Sequence, residues 1–182
     1  MLNQTRNKGV IKRNRGFTLI ELLMTVTVLG VSTMMAVPAA QHTIEKRRLI
    51  DAGEGVFAHM QLVRSEAIKT NSRAYLKFQG SGPDWCLGLH EAPSCDCNND
   101  GECDLNGAEH RLSSSAFKGV SLSQTFFTDV TGFEPRRGLA YTTGTVVLSS
   151  NSGELRVSVS PLGSVSMCSP DGANKVAGVV SC

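Results

Sequence analysis

An α+β fold, one long N-terminal helix laid against a mainly antiparallel β-sheet domain, follows from three features of this 182-residue sequence. Residues 17–40 form an apolar run in which Glu21 is the only charged side chain. Leu49, Ala52, Val56, Met60, Val63 and Ala67 then recur three or four residues apart, on one face of a helix. From Ala74 onward the chain breaks into short alternating segments divided by Gly, Pro, Asn and Ser, the chemistry of strands and turns.

The elements follow in chain order. Residues 1–16 are a basic leader carrying Arg6, Lys8, Lys12, Arg13 and Arg15 and no acidic residue. Without those five cations the remaining chain has 13 basic and 16 acidic residues, so the net charge of +2 belongs to the leader. The rest gives no bulk electrostatic case for nucleic acid. The run 17–40 is longer than the roughly 7–15 apolar residues of a cleaved secretory signal and has no clean A-x-A site. It suffices to span a bilayer about 30 Å thick, and the leader charges orient its N-terminus to the cytoplasm. Lys46, Arg47 and Arg48 on the far side weaken that bias without reversing it. A carboxylate inside such a run is costly, so Glu21 points to a function.

Pro38 lies within the helical pattern and is expected to kink or locally melt it. The amphipathic part covers 41–73, with Asp51, Glu54, Arg64, Glu66 and Lys69 mostly on the polar face. Gly53 and Gly55 weaken it by about 1 kcal/mol each. The helix should fade at Thr70-Asn-Ser72, about 57 residues or roughly 85 Å from Phe17. The domain 74–182 covers its apolar face. Ala74–Gln79, Ala140–Leu148, Glu154–Ser160 and Ser164–Cys168 read as strands, Trp85–Leu89 and Phe117–Leu122 as weaker ones.

Gly16-Phe-Thr-Leu-Ile-Glu-Leu-Leu, behind its basic leader, resembles the signal of type IV pilins and pseudopilins. Val63-Arg-Ser-Glu-Ala-Ile-Lys-Thr-Asn71 with Ala74-Tyr-Leu-Lys-Phe78, and more loosely Phe133-Glu-Pro-Arg-Arg-Gly138 and Gly163-Ser-Val-Ser-Met-Cys168, resemble the GspH/FimT/FimU branch. That branch comprises minor pilins of type IV pili and minor pseudopilins of type II secretion. The resemblance implies a type IV pilin-like fold. It also implies cleavage between Gly16 and Phe17 by prepilin peptidase, methylation of the Phe17 amine, and pairing of that amine with Glu21 in a filament. Pro38 resembles the proline found near this point in many pilins. Residues 84–110 look like an insertion.

Cys86, Cys95, Cys97, Cys103, Cys168 and Cys182 all follow the apolar run, which suits an oxidising compartment such as a periplasm. Six cysteines allow 15 connectivities. Cys168 with Cys182 is a natural pair, and the other four would form two local bridges, with 95–97 disfavoured by geometry. A zinc site of Cys95, Cys97, Cys103 and His90 or His110 is the alternative. Asp96, Asn98, Asp100 and Asp104 around Gly101 form a partial calcium-loop pattern, but Gly107 stands where an EF-hand needs Glu. The same residues also make an ordinary solvated turn.

Catalysis has little support. His42, His59, His90 and His110 are scattered, and H-E-x-x-H, G-x-S-x-G and P-loop patterns are lacking. Trp85, Tyr75 and Tyr141 read as core or loop anchors. Some FimT-like relatives capture DNA through Gly-Arg-x-Arg; here the matching stretch is Gly163-Ser-Val-Ser166, and Arg136-Arg137 is the one basic doublet of the globular domain apart from the membrane-proximal Arg47-Arg48. DNA is therefore not the expected partner. The expected role is structural. It is a minor pilin anchored in the inner membrane with a periplasmic domain, partnered by other pilins and by prepilin peptidase, and serving in a priming or tip complex. A GspH-like secretion pseudopilin is the alternative, and a pilus-associated DNA-binding module for natural transformation a second one. No cofactor is expected beyond the calcium pattern.

Overall fold

The computed structural model describes residues 16–182, with the backbone alone for 35–40. Leader residues 1–15 lie outside the described residues. The chain divides into two compact units, one ending at Ala40 and one from Gln41 to Cys182. Helix α1 (Leu19–Thr70) belongs to both and is helical without a break across Pro38, so the proline does not melt it. The proline side chain, and the kink expected there, lie outside the described residues. Helix α1 stops where Asn71 takes a left-handed conformation, φ 49°.

In the first unit α1 is predominantly apolar, with Glu21, Thr25, Thr27, Ser32 and Thr33 as the polar side chains of residues 19–34. Leu19, Ile20, Leu22, Leu23, Met24, Val26, Val28, Leu29 and Val31 are all more than half exposed. Among the described residues, no helix is long and apolar enough to cross a membrane; the apolar stretch described with its side chains ends at Met34.

The second unit begins with the amphipathic half of α1, whose Leu49, Ala52, Val56, Met60, Val63 and Ala67 are wholly buried. Full burial of each larger member stabilises the domain by about 1.5–3 kcal/mol. Ten strands follow: β1 (Ala74–Ser81), β2 (Asp84–His90), β3 (Asp104–Leu105), β4 (Ala108–Glu109), β5 (Arg111–Ser113), β6 (Ser121–Gln124), β7 (Val130–Phe133), β8 (Gly144–Ser150), β9 (Gly153–Val159) and β10 (Val165–Cys168). They make two four-stranded antiparallel sheets, β5-β2-β1-β7 and β10-β9-β8-β6, and the small hairpin β3-β4. Gly82 and Leu122 exchange two backbone hydrogen bonds of 2.8 Å, linking the β1–β2 turn to β6.

Side-chain alternation sets what faces the helix. Ala74, Leu76 and Phe78 of β1 are buried, while Tyr75, Lys77 and Gln79 lie on the opposite face. Leu148, Leu155 and Val157 supply the core from the second sheet. A Cβ on Gly53 would meet Leu155 Cδ1 at 2.9 Å and Met167 Sδ at 3.1 Å. That helical glycine, expected only to weaken α1, lets the helix approach the sheet.

Three expectations change. The strand expected at Phe117–Leu122 begins at Ser121, after a short 3-10 turn at Ser114–Ala116 and a left-handed Gly119, φ 86°. The strand expected from Ala140 begins at Gly144, because Thr131 and Thr142 hydroxyls tie the preceding residues to β7 (Thr131 Oγ1 to Thr142 O, 2.9 Å; Thr142 Oγ1 to Val130 O, 2.5 Å). The segment 84–110 divides: Asp84–His90 pairs along β1 as a full strand, and residues 91–109 form an excursion that adds no strand to the two large sheets.

Candidate functional site

The N-terminal segment is built for exposure at its start and self-sufficiency along its length. Gly16, Phe17 and Thr18 precede the helix, and Phe17 is 78% exposed. Thr18 caps α1: its hydroxyl accepts the Glu21 N–H at 3.3 Å, and its carbonyl accepts the Leu22 N–H at 3.1 Å. The Gly16–Phe17 bond thus lies outside the helix. Glu21 stands in the first turn, beside the positive end of the helix, and among the described residues its carboxylate has no partner. Thr25, Thr27, Ser32 and Thr33 donate their hydroxyls to carbonyls three or four residues back, at 2.8–2.9 Å. Such internal bonds allow these polar side chains to enter an apolar medium.

The six cysteines form three disulfides, Cys86–Cys97, Cys95–Cys103 and Cys168–Cys182. No free thiol is left among the described residues, so the zinc alternative has no thiolate ligands. Cys86 lies on the outer face of β2, and the buried Cys97 and Cys103 fold over it as a second small core. Gly88 leaves room for this: a Cβ there would meet Cys103 Cβ at 2.6 Å and Cys95 Sγ at 3.1 Å. The excursion also touches α1, where Asn106 Nδ2 donates to Glu66 Oε2 at 2.8 Å.

The oxygen array of the calcium pattern is spent on the loop itself. Asp96 Oδ1 accepts the Asn98 N–H at 2.9 Å and the Asn98 side-chain amide at 3.2 Å, and these bonds hold its carboxyl below the usual range. Asp104 Oδ1 accepts the Gly107 N–H at 2.7 Å, and Asp100 pairs with Arg111. Among the described residues, no three acidic, histidine or cysteine side chains are gathered where a metal ion could sit.

The histidines also have local roles. His59 Nδ1 lies 2.7 Å from the Gly55 carbonyl; burial lowers its pKa, that hydrogen bond partly offsets this, and His110 lowers it further. Trp85 is an anchor as expected, 3% exposed, with its indole N–H donating to Val120 O at 3.0 Å. The tyrosines are not core residues. Tyr75 and Tyr141 lie on the outer face of the first sheet, rings stacked 6.0 Å apart, in a cleft of about 410 Å³ also lined by Lys77, Pro93, Thr128 and Thr142. Strand alternation carried the signal for Tyr75 and Lys77; Tyr141 arrives from 66 positions later and carried none.

Gly163-Ser-Val-Ser166 forms the β9–β10 turn and the start of β10. Gly163 has φ 75° and packs directly on the Gly138 carbonyl, which Arg64 Nε also reaches at 3.2 Å. The turn carrying Arg136-Arg137 is thereby placed beside it. At the C-terminus, Asp171 Oδ1 accepts from Lys175 Nζ at 2.9 Å and Ser181 Oγ at 2.8 Å, and both hold its carboxyl below the usual 3.8.

An exposed apolar helix with a capped, accessible N-terminus, joined to a helix-on-sheet domain, defines a pilin-type subunit. The family model of the type II transport protein GspH matches residues 52–163, and that of the prokaryotic N-terminal methylation motif matches residues 11–37. The chain belongs to the GspH/FimT/FimU family of minor pilins and minor pseudopilins. The crystal structure of the type IV minor pilin FimU from Pseudomonas aeruginosa (strain PAO1) is similar in fold, with TM-score 0.50 and 16% identity over 74% of this chain and 96% of that one. A second crystal form of that protein gives 0.46 and 15%, over 71% and 97%. No curated protein matches the chain.

Proposed function

We propose that this chain is a minor pilin. It is inserted in the inner membrane as a single-pass protein, cleaved after Gly16, methylated on Phe17, and drawn into a type IV pilus, where it serves in a priming or tip complex. The observation that carries this reading is the segment Phe17–Met34, whose large apolar side chains are exposed and whose one charged side chain is Glu21. A helix so largely apolar is stable only when something apolar surrounds it, first lipid and then neighbouring pilin helices. In that setting Glu21 needs a cation, and the free amine of Phe17 on an adjacent subunit supplies one. The periplasmic domain has a structural rather than a catalytic role. A GspH-like pseudopilin is the second reading, supported by the family match over residues 52–163.

The test is the intact mass and N-terminal sequence of protein purified from membranes containing active prepilin peptidase. The expected chain begins at methylated Phe17. A chain beginning at Met1 would overturn the proposal. Recovery in sheared surface fractions marks the pilus; retention in the envelope marks the secretion pseudopilin.

A further inference from the structure

We propose that the cleft on the outer face of β1 and β7 binds a terminal acidic sugar of a glycan, through the ring face and the carboxylate together. The cleft combines three kinds of group. Tyr75 and Tyr141 present phenol rings at 6.0 Å and 21°. Beside the lining, Arg73 holds its guanidinium 5.6 Å from the centre of the Tyr141 ring, and within it Lys77 Nζ donates to Thr128 O at 3.2 Å. The Thr128 and Thr142 side chains line the same space, and no lining residue is acidic.

Packing explains only part of this. Tyr75 covers Gly132, where a Cβ would meet its ring at 2.7 Å. Tyr141 covers no such gap and is 43% exposed. Among the described residues, neither Arg73 nor Lys77 has an ion-pair partner, although acidic residues outnumber basic ones from Phe17 onward. Thr128 and Asp129 are consecutive non-glycine residues in the left-handed region, φ 60° and 57°. Backbone of that kind persists where the surroundings over-determine it, and it concentrates at binding sites. Here it lies where the Thr128 carbonyl meets Lys77.

These groups select a ligand. An aromatic face takes the apolar face of a pyranose, Lys77 with Arg73 beside the cleft takes a carboxylate, and the Thr128 and Thr142 hydroxyls, which donate to the Phe127 and Val130 carbonyls, accept from sugar hydroxyls. The volume of about 410 Å³ suits a small ligand such as one or two rings. A neutral sugar forgoes the charge-assisted bonds. Single-stranded nucleic acid needs a basic track for successive phosphates, and two cations on a net-acidic domain do not make one. The inference is independent of whether the chain enters a pilus or a secretion pseudopilus.

The test uses the full chain in detergent micelles, titrated with glucuronic acid, glucose and an oligothymidylate, and followed by saturation-transfer NMR. Glucuronic acid should saturate at about 10 mM or below, with glucose at least about tenfold weaker. Tyr141→Ala and Lys77→Gln should each weaken glucuronic acid about tenfold, while Tyr141→Phe retains it. Both altered side chains are partly exposed, and unchanged circular dichroism confirms that the variants fold. Absence of saturable binding, or binding indifferent to Tyr141→Ala and Lys77→Gln, overturns the proposal. Preference for the oligothymidylate with the same variant sensitivity also overturns it, in favour of a nucleic-acid site.

Discussion

His59 illustrates how one residue links local geometry to the stability of the domain. Its ring is largely buried against the Gly55 carbonyl and near His110, and burial holds its pKa below 6.5. The unfolded chain takes up a proton near 6.5 and the folded chain only at lower pH. Its contribution is therefore complete above pH 6.5 and is lost as pH falls from there through the folded value. We expect a lower urea midpoint at pH 5.5 than at pH 7.5, and a shallower dependence in His59→Gln, measured by denaturation of the full chain in micelles. An equal slope in both proteins would remove His59 as the cause. Gly163 is a second case, since its left-handed backbone and its contact with the Gly138 carbonyl both exclude a Cβ.

Among the elements, the chain after β10 has little regular structure and relies on a staple. Cys168–Cys182 closes a stretch of 14 residues. Inside it, Ser169 N donates to Val180 O at 2.8 Å, Cys182 N to Ser169 O at 3.0 Å, and Val176 N to Ser169 Oγ at 2.8 Å. The segment also bonds to β9, where Glu154 N donates to Asn174 O at 2.9 Å and Ser169 Oγ to Glu154 O at 2.9 Å, and Val176 is buried. Constraining the unfolded loop is worth about 3 kcal/mol. The double variant Cys168→Ser, Cys182→Ser should lose about that much in a urea titration. A loss well under 1 kcal/mol would show that the hydrogen bonds alone hold the segment. The depressed Asp171 carboxyl adds to the closure above its ordinary pKa of 3.8, and this contribution fades as pH falls through the lower folded value.

For the whole molecule, the proposed function assigns processing and assembly to different residues. The proposed cleavage falls at the Gly16–Phe17 bond ahead of the Thr18 cap, whereas Glu21 lies one turn into α1. Glu21→Gln keeps shape and helix propensity but removes the charge. It should still be cleaved and methylated, by intact mass, while its entry into sheared filaments falls at least about tenfold. Normal incorporation would show that Glu21 has no part in assembly.

Most of this architecture was legible along the chain because it is written in local periodicity. The three-and-four spacing from Leu49 to Ala67 marked a face that proves wholly buried, and the alternation of Ala74–Gln79 marked β1. The apolar run with Glu21 and the glycine before Phe17 carried the family. Strands β5 and β7, of three and four residues, were not legible, because so short a segment owes its conformation to its neighbours. The same holds for the calcium pattern: the right residues stand in order, yet Asp96 and Asp104 bond to their own loop and Asp100 to Arg111.

The sequence by itself determined the fold class and the N-terminal methylation motif, since each depends on composition and spacing within a short window. Tertiary structure alone decided which cysteines of the 86–103 group pair, why Gly53 and Gly88 are glycines, and that Tyr141 reaches Tyr75. Each of those depends on contacts across a sheet or between a helix and a sheet. Such contacts arise only when distant segments are brought within van der Waals distance, and local patterning does not encode that.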